Sequence, residues 1–144
     1  MIKKKIFIKY FKEDSSRLEQ KKIGNWIDLY ADNNYEYKAG EHFLVDLGIA
    51  MQLPKGYEAL LAPRSSSFKN YSFIITNSPG VIDTSYCGDN DKWFASCFAL
   101  RDGKIERGDR VCQMRIIRSQ PKLSFIEKTS LGNKDRGGHG STGK

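Results

Sequence analysis

Gly80-Val81-Ile82-Asp83-Thr84-Ser85-Tyr86-Cys87-Gly88 joins strand, turn and carboxylate signals within nine residues. Two glycines bracket a β-branched pair, one carboxylate and one tyrosine. Asn77, Ser78 and Pro79 come just before and supply turn chemistry. Val81 and Ile82 are stiff at χ1 and suit a strand. The pattern predicts a turn and then a hairpin arm with a buried Val-Ile pair, presenting Asp83 at a fixed position. A carboxylate held beside apolar residues is a candidate general base. A tyrosine three residues on can lay its ring against a sugar or a base. Read alone, the same residues also describe a surface hairpin with a solvated aspartate.

Short strands and turns continue on both sides. Upstream, residues 72–76 and 57–62 read as strands, and Pro63 ends the second. Residues 65–70 predict one helical turn with serine as its cap. Residues 43–53 read as one apolar strand, and 35–38 and 26–30 as two more. Asp32-Asn33-Asn34 and Ala39-Gly40-Glu41 are turns between them. Residues 6–11 alternate with strand period, and the polar, charged 13–22 reads as a loop or a weak helical turn. Downstream, Asp89-Asn90-Asp91 is a polar turn, 93–100 a strand and Asp102-Gly103 a hairpin signal. Residues 111–117 and 123–126 complete the set. With no long helical pattern and no internal repeat, this spacing predicts an all-β barrel or sandwich.

The tail differs. Residues 132–144 hold five glycines and almost no apolar side chain, so they cannot form a core strand. The expectation is one β domain over 1–131 and a flexible Gly-rich arm over 132–144. Such an arm is either a disordered terminus or a phosphate-wrapping loop. In the second case glycine lets backbone N–H groups approach, and Arg, Ser and Thr add donors.

A chain of 144 residues is one domain and hides roughly two-thirds of its extended surface on folding. The net charge of +7 raises the question of nucleic acid. The basic residues are scattered, however, and the densest run, Lys3-Lys4-Lys5, is interrupted at once by Ile6-Phe7-Ile8. No basic helix or zinc-finger spacing exists, so nucleic-acid binding is not expected. A positive field also suits a small polyanionic substrate. Three cysteines without a CxxC pair indicate neither a disulfide framework nor a zinc site; reduced thiols fit a cytoplasmic protein. The apolar run 6–8 is far too short for a signal peptide, and no segment approaches a membrane span.

The stretch 77–88 resembles the third motif of the trimeric deoxyuridine triphosphatases, the dUTPases. Four further segments resemble the family's other motifs, in the family's order. They are Gly24-Asn25-Trp26-Ile27-Asp28-Leu29-Tyr30-Ala31, Ala62-Pro63-Arg64-Ser65-Ser66-Ser67, Gly108-Asp109-Arg110-Val111-Cys112-Gln113 and Arg136-Gly137-Gly138-His139-Gly140-Ser141-Thr142-Gly143. The resemblance runs from about Gly24 to the C-terminus. It implies a jelly-roll-like distorted β-barrel and a homotrimer with shared active sites. It further implies hydrolysis of dUTP to dUMP and pyrophosphate, by water attack at the α-phosphorus, with Mg²⁺ as cofactor.

The resemblance assigns Asp83 as the base that deprotonates the water. It lays Tyr86 on the deoxyribose, in the space a 2′-hydroxyl would need. Asn77 and the backbone of Gly80, Val81 and Ile82 would read the uracil edge. Asp28 would hold Mg²⁺ through water, since that ion keeps several waters and is bound mostly by substrate phosphates. Arg64, Ser65 and Ser66 would serve phosphates, with Ser65 nearest the bridging oxygen. The family usually has glycine where Ser66 stands, and serine is less permissive there. Gln113 would reach the α-phosphate or the water. Arg136, Ser141 and Thr142 would close over the outer phosphates, with Gly138 also in the arm's binding surface. Asp109 and Arg110 would make a turn and subunit contacts.

His139 stands where the family usually has a phenylalanine that stacks on uracil. Either His139 is the stacking ring, or another aromatic covers the base. Trp93 and Phe94 follow the third motif and point to opposite faces of a strand. Trp93 shares its face with Ala95, Cys97 and Ala99, a core pattern. Phe94 shares its face with Ser96 and is the preferred lid. Two other functions compete. A dCTP deaminase of the same fold should use a glutamate in chemistry on the base, and the third-motif stretch has none. A nucleotide-gated regulator would act through a protein partner that the sequence does not identify.

Overall fold

The computed structural model describes residues 2–140. Their regular elements are β1 (Phe7–Tyr10), β2 (Ile27–Tyr30), β3 (Tyr35–Tyr37), β4 (His42–Asp46), β5 (Ile49–Gln52) and β6 (Tyr57–Ala62), then the helix α1 (Ser67–Tyr71). After the helix come β7 (Phe73–Ile75), β8 (Gly80–Ile82), β9 (Phe94–Ala99), β10 (Gly103–Ile105) and β11 (Arg110–Arg118). One sheet has the order β2-β11-β6-β8 and a second β4-β9-β7; β1 pairs with β5, and β10 with β3. All the pairs are antiparallel.

Period-two alternation builds the core, because successive side chains of a strand point to opposite faces. Leu29, Leu61 and Met114 face inward from the larger sheet; Val45, Phe73, Ala95 and Cys97 face them from the smaller one. Trp93 is fully buried among them. The all-β expectation holds, and no described helix is long and apolar enough to cross a membrane.

Several local expectations are corrected. The apolar run 43–53 is two strands, broken between Asp46 and Ile49. Gly48 has φ +70°, and a Cβ there would meet Asp32 Cγ at 2.5 Å, so the chain turns at a point where only glycine fits. The Gly80–Ile82 strand is not a hairpin arm. It pairs with β6, Leu61 opposite Gly80 and Ala59 opposite Ile82. Val81 is accordingly not buried: it points off the outer face, 60% exposed. Asp102-Gly103 does not fold β10 back on β9, since β10 pairs with β3. Residues 123–126 form no strand. Phe125 is 92% exposed, and among the described residues no strand pairs with this segment. After β11, residues 119–140 have no regular structure.

Candidate active site

One end of the site forms around β8 and β9. Asn77, Val81, Ile82, Asp83, Tyr86 and Phe94 line one cavity of about 400 Å³, together with Leu44, Ser85, Lys92 and Ser96. Local chain geometry places them. Gly80 packs so closely that a Cβ would lie 3.1 Å from Leu61 Cβ and 3.6 Å from the Asn77 carbonyl oxygen, which draws Asn77 against the start of β8. Past β8, the aspartate closes its own turn. Asp83 Oδ2 accepts hydrogen bonds from Ser85 N, at 2.9 Å, and from Ser85 Oγ. These donors favour the charged form and hold the Asp83 carboxyl below the usual carboxylate range. Both sit on Oδ2, so Oδ1 is the oxygen left to a water. Tyr86 is 37% exposed at the rim, and its hydroxyl donates to the Lys92 carbonyl at 2.6 Å.

Strand alternation separates the two neighbouring aromatics. Phe94 is 41% exposed and faces the cavity. Trp93 cannot reach it: it is fully buried on the core face and drops out as a lid.

A second cluster forms where β2, β11 and β6 run side by side. Asp28 and Ala62 flank Gln113 in one cross-strand row. A register shift in β11 between Arg110 and Cys112 lies just before it. Such bulges re-aim side chains, and here Arg110 Nη1 comes within 3.6 Å of Asp28 Oδ2. Arg64 Nε donates to Asp28 Oδ1 at 2.9 Å, and Lys21 Nζ to Oδ2 at 3.3 Å. Gln113 Nε2 donates to the Pro63 carbonyl at 3.0 Å. Three cations thus surround one carboxylate, and the excess positive charge suits a polyanion.

The bend that carries Arg64, Ser65 and Ser66 is anchored by Ser67, whose Oγ accepts from Arg64 N at 2.8 Å and donates to the Val111 carbonyl at 3.0 Å. Ser66 occupies the cap position of α1 but makes no side-chain cap bond. Its φ of −95° is open to any residue, so glycine is not required there. Its Oγ instead accepts from Arg64 Nη1 at 3.3 Å.

The two clusters do not meet within one chain. Ile82 pairs with Ala59, and Thr84 Oγ1 reaches the Tyr57 carbonyl, so Asp83 lies abreast of Glu58. The Gln113 row crosses β6 at Ala62, four residues away, about 13 Å of strand. Of the arm, Arg136 and His139 are exposed, and neither they nor Gly138 line the cavity among the described residues. Ser141 and Thr142 lie outside the described residues.

Sequence reasoning missed Lys21, Lys92 and Ser85, and gave Arg110 only turn and subunit contacts. Ser85 had a local signal, because an aspartate two residues ahead of a backbone N–H is an Asx-turn pattern. Lys21 and Lys92 had none, since both lie in loops and only the folded chain brings them to Asp28 and Asp46.

A family model described as dUTPase matches residues 20–143. The chain is 55% identical over 138 residues to the SPbeta prophage-derived deoxyuridine 5′-triphosphate nucleotidohydrolase YosS of Bacillus subtilis, covering 96% of this chain and 97% of that one. It is 35% identical to a deoxyuridine 5′-triphosphate nucleotidohydrolase of Hydrogenobaculum, over 96% and 98% of the two chains. Among solved structures, a mutant dUTPase of Staphylococcus bacteriophage 80alpha with dUpNHpp superposes with TM-score 0.78 at 19% identity, over 97% of this chain and 99% of that one. A mutant dUTPase of phage phi11 of S. aureus, described with a structural Mg(II) ion, gives TM-score 0.74 at 17% identity, over 87% and 98%. These structures share the jelly-roll fold. The strand order and side-chain clusters described above are therefore those of a chain that belongs to the dUTPase family.

Proposed function

We propose that this protein hydrolyses dUTP to dUMP and pyrophosphate, with water attacking the α-phosphorus. The observation that carries the reading is the shared cavity of Asn77, Asp83, Tyr86 and Phe94. It offers a base-reading amide, a carboxylate, a ring for the sugar and a ring for the base at one rim. Asp83 is ionised at neutral pH and is oriented by Ser85, so Oδ1 can hold a water and take its proton. Tyr86 takes the place of a 2′-hydroxyl, and Phe94 stacks on uracil. Arg64, Ser65, Ser66 and Gln113 neutralise and position the phosphates, which is most of what phosphoryl transfer asks of a protein.

Asp28 fits a hydrated ion and not a direct ligand role. Its two oxygens already face Arg64, Lys21 and Arg110, and the described residues hold no group of three or more His, Cys, Asp or Glu suited to a metal. Mg²⁺ would be held mostly by the substrate phosphates and touch Asp28 through water. When bound it supplies charge neutralisation on the phosphates.

The active unit is a homotrimer with shared sites. Asp83 and Gln113 both serve the α-phosphate region, yet they lie about 13 Å apart along the sheet of one chain. A base from one subunit and phosphate ligands from another resolve this. The exposed Leu123, Phe125, Ile126 and Leu131 lie just ahead of the arm and suit contact with a second copy. Arg136, Gly138, His139, Ser141 and Thr142 would then close over a site built by neighbouring subunits. The three free thiols suit a reducing cytoplasm, the compartment this reading expects.

Incubation with dUTP and dCTP in Mg²⁺ tests the reading. It predicts pyrophosphate from dUTP and no ammonia from dCTP. Ammonia from dCTP would instead identify a deaminase.

A further inference from the structure

The geometry points to Lys92 as a specificity-determining positioning residue: its anchored side chain holds the loop that fixes Tyr86 against a 2′-hydroxyl. This rests on the dUTP-hydrolysing reading above. Tyr86 is a partly exposed ring on a surface loop, so packing alone does not fix its orientation. Its hydroxyl is tied instead to the Lys92 carbonyl, at 2.6 Å, which closes residues 86–92 into a ring. What holds Lys92 therefore holds Tyr86.

Lys92 turns inward, against the habit of a surface lysine. Its Nζ lies 3.0 Å from Asp46 Oδ2, with side-chain exposures of 29% and 14%, and 4.5 Å from the centroid of the Phe11 ring. Asp46 is itself fixed, its Oδ1 accepting from Gly48 N at 2.7 Å. A second lysine ties the same loop to the N-terminal strand. Lys9 Nζ lies 4.6 Å from the Phe11 centroid and donates to the Asp89 carbonyl at 3.0 Å. Phe11 thus receives one lysine from the loop and one from β1. Cation–π contacts and a half-buried ion pair resist displacement better than an exposed loop would alone. Because Lys92 is neutralised by Asp46, it is a brace and not a phosphate ligand.

Excluding a hydroxyl by shape needs a wall that does not yield. Contact with the deoxyribose face does not need the same rigidity. Loosening the brace should therefore admit UTP while leaving dUTP turnover in place. The test measures kcat/KM for dUTP and UTP, with unfolding midpoints, in the parent, Lys92→Ala, Lys92→Arg, Phe11→Leu, Tyr86→Phe and the Tyr86→Phe/Lys92→Ala double variant. Lys92→Ala should raise the UTP-to-dUTP ratio about tenfold, part of the ~10² that shape exclusion of a hydroxyl can reach, with kcat for dUTP near the parent's. Phe11→Leu should move the ratio in the same direction, which keeps the test alive if Lys92→Ala fails to fold. Lys92→Arg should restore discrimination. The double variant should shift the ratio no further than the larger single one, because both changes cut one linkage. An unchanged ratio in folded Lys92→Ala and Phe11→Leu, or additive shifts in the double variant, overturns the brace. A parent that does not hydrolyse dUTP at all overturns the proposed function itself, a separate outcome.

Discussion

Replacing Phe94 by alanine separates the lid from the core. The ring is 41% exposed on the outer face of β9, beside Leu44 and above the cavity. A fully buried phenylalanine cut to alanine costs about 3–5 kcal/mol of stability. With much of this ring already in water and no closed void left behind, the folding cost should be nearer 1–2 kcal/mol. Losing a ring that stacks on a base costs about 1–3 kcal/mol of binding. At about 1.4 kcal/mol per tenfold, that is roughly 5- to 150-fold in affinity. Calorimetric titration with a non-hydrolysable dUTP analogue reads the affinity, and thermal unfolding reads the stability. Phe94→Ala should stay folded and bind in that weaker range, and His139→Ala should lose less. Parent-like affinity in Phe94→Ala, with the full loss in His139→Ala, would refute the reasoning and make His139 the lid. Affinity would then follow the protonation of an imidazole, near its reference pKa of about 6.5.

Asp83→Asn keeps the shape and removes the base, so kcat should fall at least about 10²-fold with analogue binding retained; near-parent kcat would take Asp83 out of the mechanism. The pKa of Asp83 is lowered by its Ser85 donors, so its ionised form persists as pH falls. Activity should be lost only as pH drops through that lowered value, and Ser85→Ala should move the acid limb of the kcat profile upward. An unmoved limb would mean that another group sets it. A chain ending at Leu131 should fold and assemble but hydrolyse dUTP very poorly, as circular dichroism, sizing chromatography and a pyrophosphate assay would show. Full activity would remove the arm from catalysis. Gly48→Ala places a Cβ against Asp32 at a positive φ and should lower stability by roughly 1–3 kcal/mol in denaturant melts.

The strands were legible because alternation and turn residues are local signals. Tyr57–Ala62 has the bounds read from sequence, and the outward Phe94 and inward Trp93 follow from period two alone. What failed depended on partners distant in the chain. Val81 and Ile82 look like a buried pair, but the register with β6 turns Val81 outward. Residues 123–126 have strand chemistry but pair with no strand among the described residues. The break at Gly48 reflects contact with Asp32, sixteen residues earlier, which no window of sequence shows. The same holds for the site. Motif resemblance identified Asp28, Arg64 and Gln113, and the structure places them together. Lys21 and Arg110 bring charge to Asp28, and Lys92 ties its loop to Asp46, through contacts that only the folded chain sets. The separation of Asp83 from Gln113 was likewise invisible until the register placed them on different rows.

That separation is the claim most open to direct test. Asp83→Asn and Arg64→Ala chains, each nearly inactive as a homotrimer, can be unfolded together in equal amounts and refolded as mixed trimers. If each site takes its base from one subunit and its phosphate ligands from another, random mixing leaves about a quarter of the sites with both groups intact. The pyrophosphate assay should then recover about a quarter of parent activity. Activity no greater than that of the two separate variants, in trimers shown to be mixed, would mean that each chain builds its own site and would contradict the shared-site account.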